Sequence, residues 1–234
     1  RSIRRQFALD YGFIVPPIHI RDNVRLKGGE YRLLLKGSII GKGELRSHYM
    51  LAMDPGSVTS PIEGIPTKEP AFGLDAIWIN QTDKEQAQFA GYTVVDHSTI
   101  VTTHITELIK VNMHELLGRQ ETQHLISTIQ KDAPKVVEEL MPSVLSLAQV
   151  QQVLCLLLKE GVSIRDLKTI LETLGDWGQS IKQPQKLGEY VRRRLARQIT
   201  AKYITSEGIL PLASLAPSTE HLLSEALYQT DEGS

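Results

Sequence analysis

Apolar positions change period twice along the chain, and the changes mark its elements. Residues 1–10 are largely polar with Ile3, Phe7 and Ala8 on one side, the spacing of an amphipathic helix, and Gly12 stops it. Phe13-Ile14-Val15 and Ile18-His19-Ile20 flank Pro16-Pro17, a pattern that predicts a strand interrupted at an edge or bend. Asp22-Asn23 is turn chemistry. Residues 31–36 predict a strong strand, returning hairpin-like through 37–43. Residues 48–63 hold Asp54-Pro55-Gly56 and Ser60-Pro61 and read as loop. Ala76-Ile77-Trp78-Ile79 predicts a strand, 84–90 a short helix with Gly91 as its C-cap, and Tyr92-Thr93-Val94-Val95 a second strand. Ser98 is the expected cap of a long helix reaching Leu117, with Ile100, Val101, Ile105, Leu108, Ile109 and Leu116 at helical spacing.

From Arg119 onward the period is helical. Pro134 suits a first turn, and Ser146 with Gln149 forms a capping box ahead of an apolar run that ends at Gly161. Ser163 is the expected cap of the next helix, with a stripe of Ile164, Leu167, Ile170, Leu171 and Leu174. Residues 185–199 predict a helix basic on its exposed side. Gly208-Ile209-Leu210-Pro211-Leu212 then looks like a strand, and 218–228 like a capped helix. The expected fold class is α+β with several subdomains. A first α/β subdomain is formed by 1–47 and 97–117, interrupted by a small α/β insertion at 48–96. A mainly helical subdomain follows at 118–200, and 201–234 begins a further α/β piece.

Composition narrows the function classes. Over 234 residues, 41% hydrophobic content is enough for a core, and a net charge of −1 offers no global field for nucleic acid. The single Cys155 excludes an intramolecular disulfide and fits a reducing compartment. The sequence holds no apolar run of the ~18 residues that a membrane span needs.

Candidate chemistry is sparse. His104 and Glu107 lie three apart on one predicted helix, with His114-Glu115 beyond, but a metal site wants at least three convergent ligands. A hydrolase built on the His104–Glu107 region is the enzyme alternative, and no nucleophile–base pair, metal triad or cofactor loop supports it. Cys155 sits in an apolar run and reads as a small core residue. The glycine pairs match no phosphate-binding loop, so no cofactor is expected. Arg192-Arg193-Arg194 with Arg197 is the densest basic run and reads as a solvated helix face near a C-terminus, with a patch for phosphate or an acidic partner as the alternative. Glu69, Phe72 and Thr103 complete the candidates. From composition alone, Phe72 is core and Glu69 a solvated charge.

Several motifs in order change that last reading. GFIVPPIHIRDN, EYRLLLKG, PAFGLDAIWI, AGYTVVD, STIVTTHITELI, HELLGRQETQ, PKVVEELMP and VSIRDLKTILETL resemble the cytoplasmic region of the flagellar type III secretion export gates, the FHIPEP family. The likeness covers roughly residues 1–200. Virulence-system export gates share the SIRxLxTILE-like and PPIxIRDN-like patterns, whereas GYTVVD and LLGRQETQ look more flagellar. The resemblance implies a docking platform without catalytic residues. It binds export chaperone–substrate complexes, orders delivery to a membrane channel, contacts other export-apparatus proteins, and joins a nine-membered ring at the cytoplasmic face of the bacterial inner membrane. It also implies that a multi-span membrane region precedes Arg1 and that the family continues past Ser234, so the chain looks like an excised fragment.

The resemblance places Phe72, Glu69 and Thr103 at a hydrophobic dimple between two subdomains, where the complexes are received. Glu69 departs from the family's usual Asp, and Thr102-Thr103-His104 stands where Ala-Thr-His is frequent. The expected geometry has Phe72 partly exposed in a cleft between the insertion and the helix over 98–117. Thr103 is expected on the opposing wall, and Glu69 on the rim, kept exposed by Pro70.

Overall fold

The computed structural model describes residues 2–226. Helix α1 (Ser2–Tyr11) buries Phe7 and ends at Gly12, whose φ of 85° only glycine adopts without strain. A Cβ there would lie 2.4 Å from Arg165 Cα, so the chain passes flush against the helical part, and Ile164 N–H donates to the Tyr11 carbonyl at 2.9 Å. The interrupted strand expected over 13–20 is not formed. Phe13 and Val15 are buried and Ile14 exposed, as alternation requires, but Pro16 and Pro17 have no N–H for a ladder. Arg4 Nε takes the Val15 carbonyl at 2.6 Å instead.

Strands β1 (Glu30–Leu35) and β2 (Ser38–Glu44) form an antiparallel hairpin. Its two-residue turn, Lys36-Gly37, has φ of 48° and 86°, the signs that a type I′ turn needs. The other sheet runs β4-β5-β3-β6, all antiparallel, from β3 (Tyr49–Met53), β4 (Ile65–Lys68), β5 (Asp75–Asn80) and β6 (Thr93–Val95). Part of the stretch read as loop is thus the inner strand β3. Leu51 and Ala52 point to opposite faces and both are fully buried, so β3 shows a continuous apolar run and not alternation. One face packs Leu51, Ala76 and Trp78 under Ile100, while the other packs Ala52 and Ile79 under Ala87 of helix α2 (Lys84–Phe89).

Ile100 belongs to α3 (His97–Val111), which is capped by Asp96 accepting from Thr99 N–H at 2.7 Å. Ser98 lies inside its first turn. The long helix expected to reach Leu117 breaks at Asn112, whose side-chain amide donates to the Leu108 carbonyl at 2.7 Å, and α4 (Met113–Leu116) follows. Ile109 and Met113 join the second, larger core, so α3 touches the sheet at one end and the helices at the other.

The helices are α5 (Arg119–Asp132), α6 (Pro134–Leu140), α7 (Leu147–Lys159), α8 (Leu167–Gly178), α9 (Pro184–Arg194) and α10 (Ala196–Ala201). Both halves of the Ser146–Gln149 box form, at 3.3 and 3.0 Å, and α7 buries Val150, Val153, Leu154, Leu157 and Leu158 at the centre of the core. Asp166, not Ser163, caps α8 by accepting from Thr169 N–H. The expected helix over 185–199 is divided at Leu195. No strand forms over 208–212. Thr205 N–H donates to the Ile209 carbonyl and closes a turn there. Helix α11 (Pro217–Ala226) starts ahead of Ser218 and has no buried residue, and Tyr228 lies outside the described residues.

Candidate docking site

The turn between β4 and β5 is built from Glu69-Pro70-Ala71-Phe72-Gly73. Pro70 arrives with φ preset for a turn, and Gly73 takes φ of 70° at its exit. Gly73 N–H donates to the Glu69 carbonyl at 2.9 Å, and Glu69 N–H to the Leu74 carbonyl at 2.8 Å. The Glu69 side chain folds back into the turn: Oε1 accepts from Ala71 N–H at 2.8 Å and Oε2 from Phe72 N–H at 2.7 Å. Both carboxylate oxygens are therefore occupied by backbone donors, the arrangement that makes burial of a carboxylate tolerable.

Two expectations meet this geometry differently. Phe72 is 59% exposed, with Leu74 beside it at 56%, so the ring is not core. Glu69, expected exposed on the rim, is only 4% exposed. Pro70 does not hold it outward. The side chain is long enough to reach amides two and three residues on, and those bonds outweigh hydration of a free carboxylate.

Thr103 is half-buried on α3, and no side-chain hydrogen bond joins it to Glu69 or Phe72. Its neighbour His104 is 4% exposed and pairs its Nδ1 with Tyr31 Oη at 2.8 Å, the rings meeting edge-on at 5.7 Å. This pair ties α3 to the β1–β2 hairpin. Gly41 and Gly43 make room for it: a Cβ on Gly43 would lie 2.5 Å from the Tyr31 ring, and one on Gly41 3.0 Å from His104 Nε2. Burial pushes the Tyr31 hydroxyl up to about 12, and the Glu69 charge adds to that shift. Burial also lowers the His104 pKa, against an opposing pull from Glu69. Glu69, Tyr31 and His104 therefore share one electrostatic neighbourhood, drawn from three separate stretches. Tyr31 was not singled out in the sequence. The only signal for it was a strand tyrosine facing two glycines across a hairpin.

The other candidates are occupied by their own neighbours. Glu107 pairs with Lys110 at 3.5 Å while His104 is taken by Tyr31, so they do not form a joint site. Among the described residues no group of three or more His, Cys, Asp or Glu gathers as a metal site would require. Cys155 is half-buried and its thiol is shifted up by burial. Arg192 bonds both Glu160 carboxylate oxygens, at 2.9 and 2.8 Å, and Arg193 lies over Tyr190, itself stacked on Trp177 at 4.0 Å.

The profile of the FHIPEP family matches residues 1–234. The chain belongs to that family. Flagellar biosynthesis protein FlhA of Bacillus subtilis (strain 168) is 46% identical over 231 residues, which are 99% of this chain and 34% of that protein. FlhA of Salmonella typhimurium is 44% identical over 227 residues, 97% of this chain and 33% of that protein. The chain thus spans about a third of the length of these relatives. Among solved structures, the Chlamydia pneumoniae CdsV protein superposes with a TM-score of 0.85 at 28% identity, covering 99% of this chain and 67% of CdsV. The complex of CdsV with CdsO gives 0.83 at 28%, over 96% of this chain and 68% of that one. Nonameric EPEC SctV-C gives 0.75 at 29%, over 99% and 70%. The mixed α+β class is thereby shared with CdsV and SctV-C. Among the described residues, no helix is long and apolar enough to cross a membrane.

Proposed function

We propose that this chain is a docking platform of the flagellar protein-export gate, receiving export chaperone–substrate complexes at the Phe72 turn. The observation that carries the reading is a phenyl ring held 59% exposed on a turn whose own carboxylate is consumed in holding it there. An exposed aromatic on a rigid turn offers large apolar area at small rotamer cost, which is how binding anchors gain energy. Thr103 forms the facing wall on α3 and leaves room for the partner. Glu69 acts from within the turn. The chain works without a catalytic group of its own. It belongs at the cytoplasmic face of the bacterial inner membrane, carried by a membrane region of the longer protein.

The units read from the sequence, 1–47 with 97–117, 48–96, 118–200 and 201 onward, serve as the subdomains of this platform, with the dimple between the first two. Copies assemble into a ring, as the nonameric structural relative does, and further export-apparatus proteins dock on it, as CdsO does on CdsV. Flagellar cargo is favoured over virulence cargo because relatives named flagellar biosynthesis protein FlhA stand at 44–46% identity, while the CdsV and SctV-C structures stand at 28–29%. Titration calorimetry of a flagellar chaperone–substrate complex against wild type and Phe72→Ala, with melts of both, tests the site. Normal binding by Phe72→Ala, or a melt far below wild type, makes Phe72 a structural residue and removes the assignment.

A further inference from the structure

One face of α3 is held from two directions. Ile100, His104 and Leu108 follow one another at intervals of four residues and so lie in a row along the helix. At the first position, Ile100 packs on Ala76 and Trp78 of β5, the strand that leaves the Phe72 turn. At the other two, the β1–β2 hairpin lies against the helix. A Cβ on Gly41 would collide with the Leu108 side chain and come within 3.0 Å of His104 Nε2. Thr103, the facing wall of the docking cleft, sits three residues past Ile100 and one before His104, between the two holds.

The hairpin's hold is polar where it need not be. Tyr31 stands opposite Gly43 in the ladder, and with no side chain there to stop it the ring reaches α3, where its hydroxyl meets His104 Nδ1 at 2.8 Å. Among the described residues this is the only side-chain hydrogen bond between the hairpin and α3. A phenylalanine against a leucine would fill the same space without desolvating a hydroxyl and an imidazole. What the polar pair adds is direction. An apolar contact lets a helix slide or turn at small cost. A hydrogen bond is made at one distance and angle, and a helix that leaves it strands two buried polar groups.

We infer that Tyr31 is a positioning residue of the docking site: through His104 it fixes α3, and with it Thr103, at one setting across the cleft from Phe72. The inference rests on the docking reading above and adds a residue that acts through another and not on the partner itself. The Glu69 charge, held in the Phe72 turn, acts on both Tyr31 and His104, so the pair faces the turn whose opposite wall it sets. Without the hydroxyl, α3 can take neighbouring settings along the flush hairpin, and docking affinity falls with the fraction that keeps the competent one.

Calorimetric titration of a flagellar chaperone–substrate complex against the whole chain, with melts of every variant and Phe72→Ala as reference, tests it. Tyr31→Phe should weaken binding about three- to tenfold, the worth of roughly one hydrogen bond. His104→Asn keeps a polar atom where Nδ1 stands and should bind within about twofold of wild type. Tyr31→Phe with His104→Leu makes both partners apolar, so its melt should return to near that of wild type while its binding stays as weak as that of Tyr31→Phe. Phe72→Ala in the Tyr31→Phe background should lose less than the two single losses combined, because a ring facing a displaced wall has less to lose. If the apolar pair fails to fold, His104→Asn and this double-mutant cycle decide. Unchanged binding by Tyr31→Phe, binding that recovers together with the melt in the apolar pair, or full additivity with Phe72→Ala makes Tyr31 a packing residue and overturns the inference, while a weakened Phe72→Ala keeps the docking reading. Normal binding by Phe72→Ala removes that reading and this inference with it.

Discussion

Replacing Glu69 separates two roles that one residue could play at the docking turn. As a rim charge, it would attract a basic partner from solution. As the turn's own acceptor, it holds the ring for a partner that never touches it. The structure places its oxygens 2.8 and 2.7 Å from the Ala71 and Phe72 amide nitrogens and leaves it 4% exposed. Hydrogen bonds to a charged group contribute about 1.5–3 kcal/mol each. In Glu69→Ala, water at the turn surface replaces part of both bonds, and relief from burying a charge offsets more, leaving a loss of about 2 kcal/mol. If the turn then samples other conformations, affinity falls with the competent fraction, about 30-fold. Glu69→Gln keeps an oxygen acceptor without the charge and should cost about 1 kcal/mol, roughly fivefold. Glu69→Asp keeps the charge and a turn-forming geometry and should stay within about threefold. The assay is calorimetric titration with a chaperone–substrate complex at two salt concentrations, beside amide exchange of Ala71 and Phe72 in the free chain. The capping role predicts faster exchange of both amides in Glu69→Ala and a salt-independent loss. Unchanged exchange, with Gln as damaging as Ala and the loss vanishing at high salt, would falsify it in favour of a rim charge.

Phe72→Ala should weaken the same binding by about 1–3 kcal/mol and leave the melting temperature within about 1–2 °C of wild type, because a ring 59% exposed adds little to the core. His104 has its folded pKa lowered, while the unfolded chain takes up that proton near the ordinary value of ~6.5. Below about pH 6.5 the unfolded state therefore binds more protons and stability falls with pH, levelling off below the folded pKa. Melts from pH 7.5 to 5 should show this slope, and His104→Gln should flatten it. Gly12→Ala combines a φ of 85° with a Cβ 2.4 Å from Arg165 Cα and should cost about 2–3 kcal/mol, read as a lower denaturant midpoint. At micromolar concentration and physiological salt the chain should sediment as a monomer, since contacts that close a ring can each be weak when copies are tethered together. A stable nonamer under those conditions contradicts this.

Features decided by neighbours in the chain were legible in the sequence. The Ser146–Gln149 box, the break at Gly12, the hairpin-like return after residue 36, the helix opened by Pro134 and the buried stripe of α8 each depend on residues within about one or two turns. Even locally, competition limited the reading. Asp96 won over Ser98, and Asp166 over Ser163, because a side-chain acceptor at either place could cap and only the chain's entry angle chose between them. What lay beyond reach was set by contacts distant in sequence. The inner strand β3 hid because burial on both faces erases the alternation that marks a strand, and its partners β5 and β6 come later in the chain. The segment 13–20 has the alternation and yet no strand, because its prolines leave it without ladder donors. Tyr31 and His104 meet across 73 residues, through a hairpin whose Gly41 lies flush on α3 and whose Gly43 makes room for the Tyr31 ring. Glu69 shows the division within one side chain. The resemblance to the export-gate family marked it as a functional position, but the fold of the turn decided that its charge faces inward to two amides, where the free energy of those bonds exceeds that of hydration.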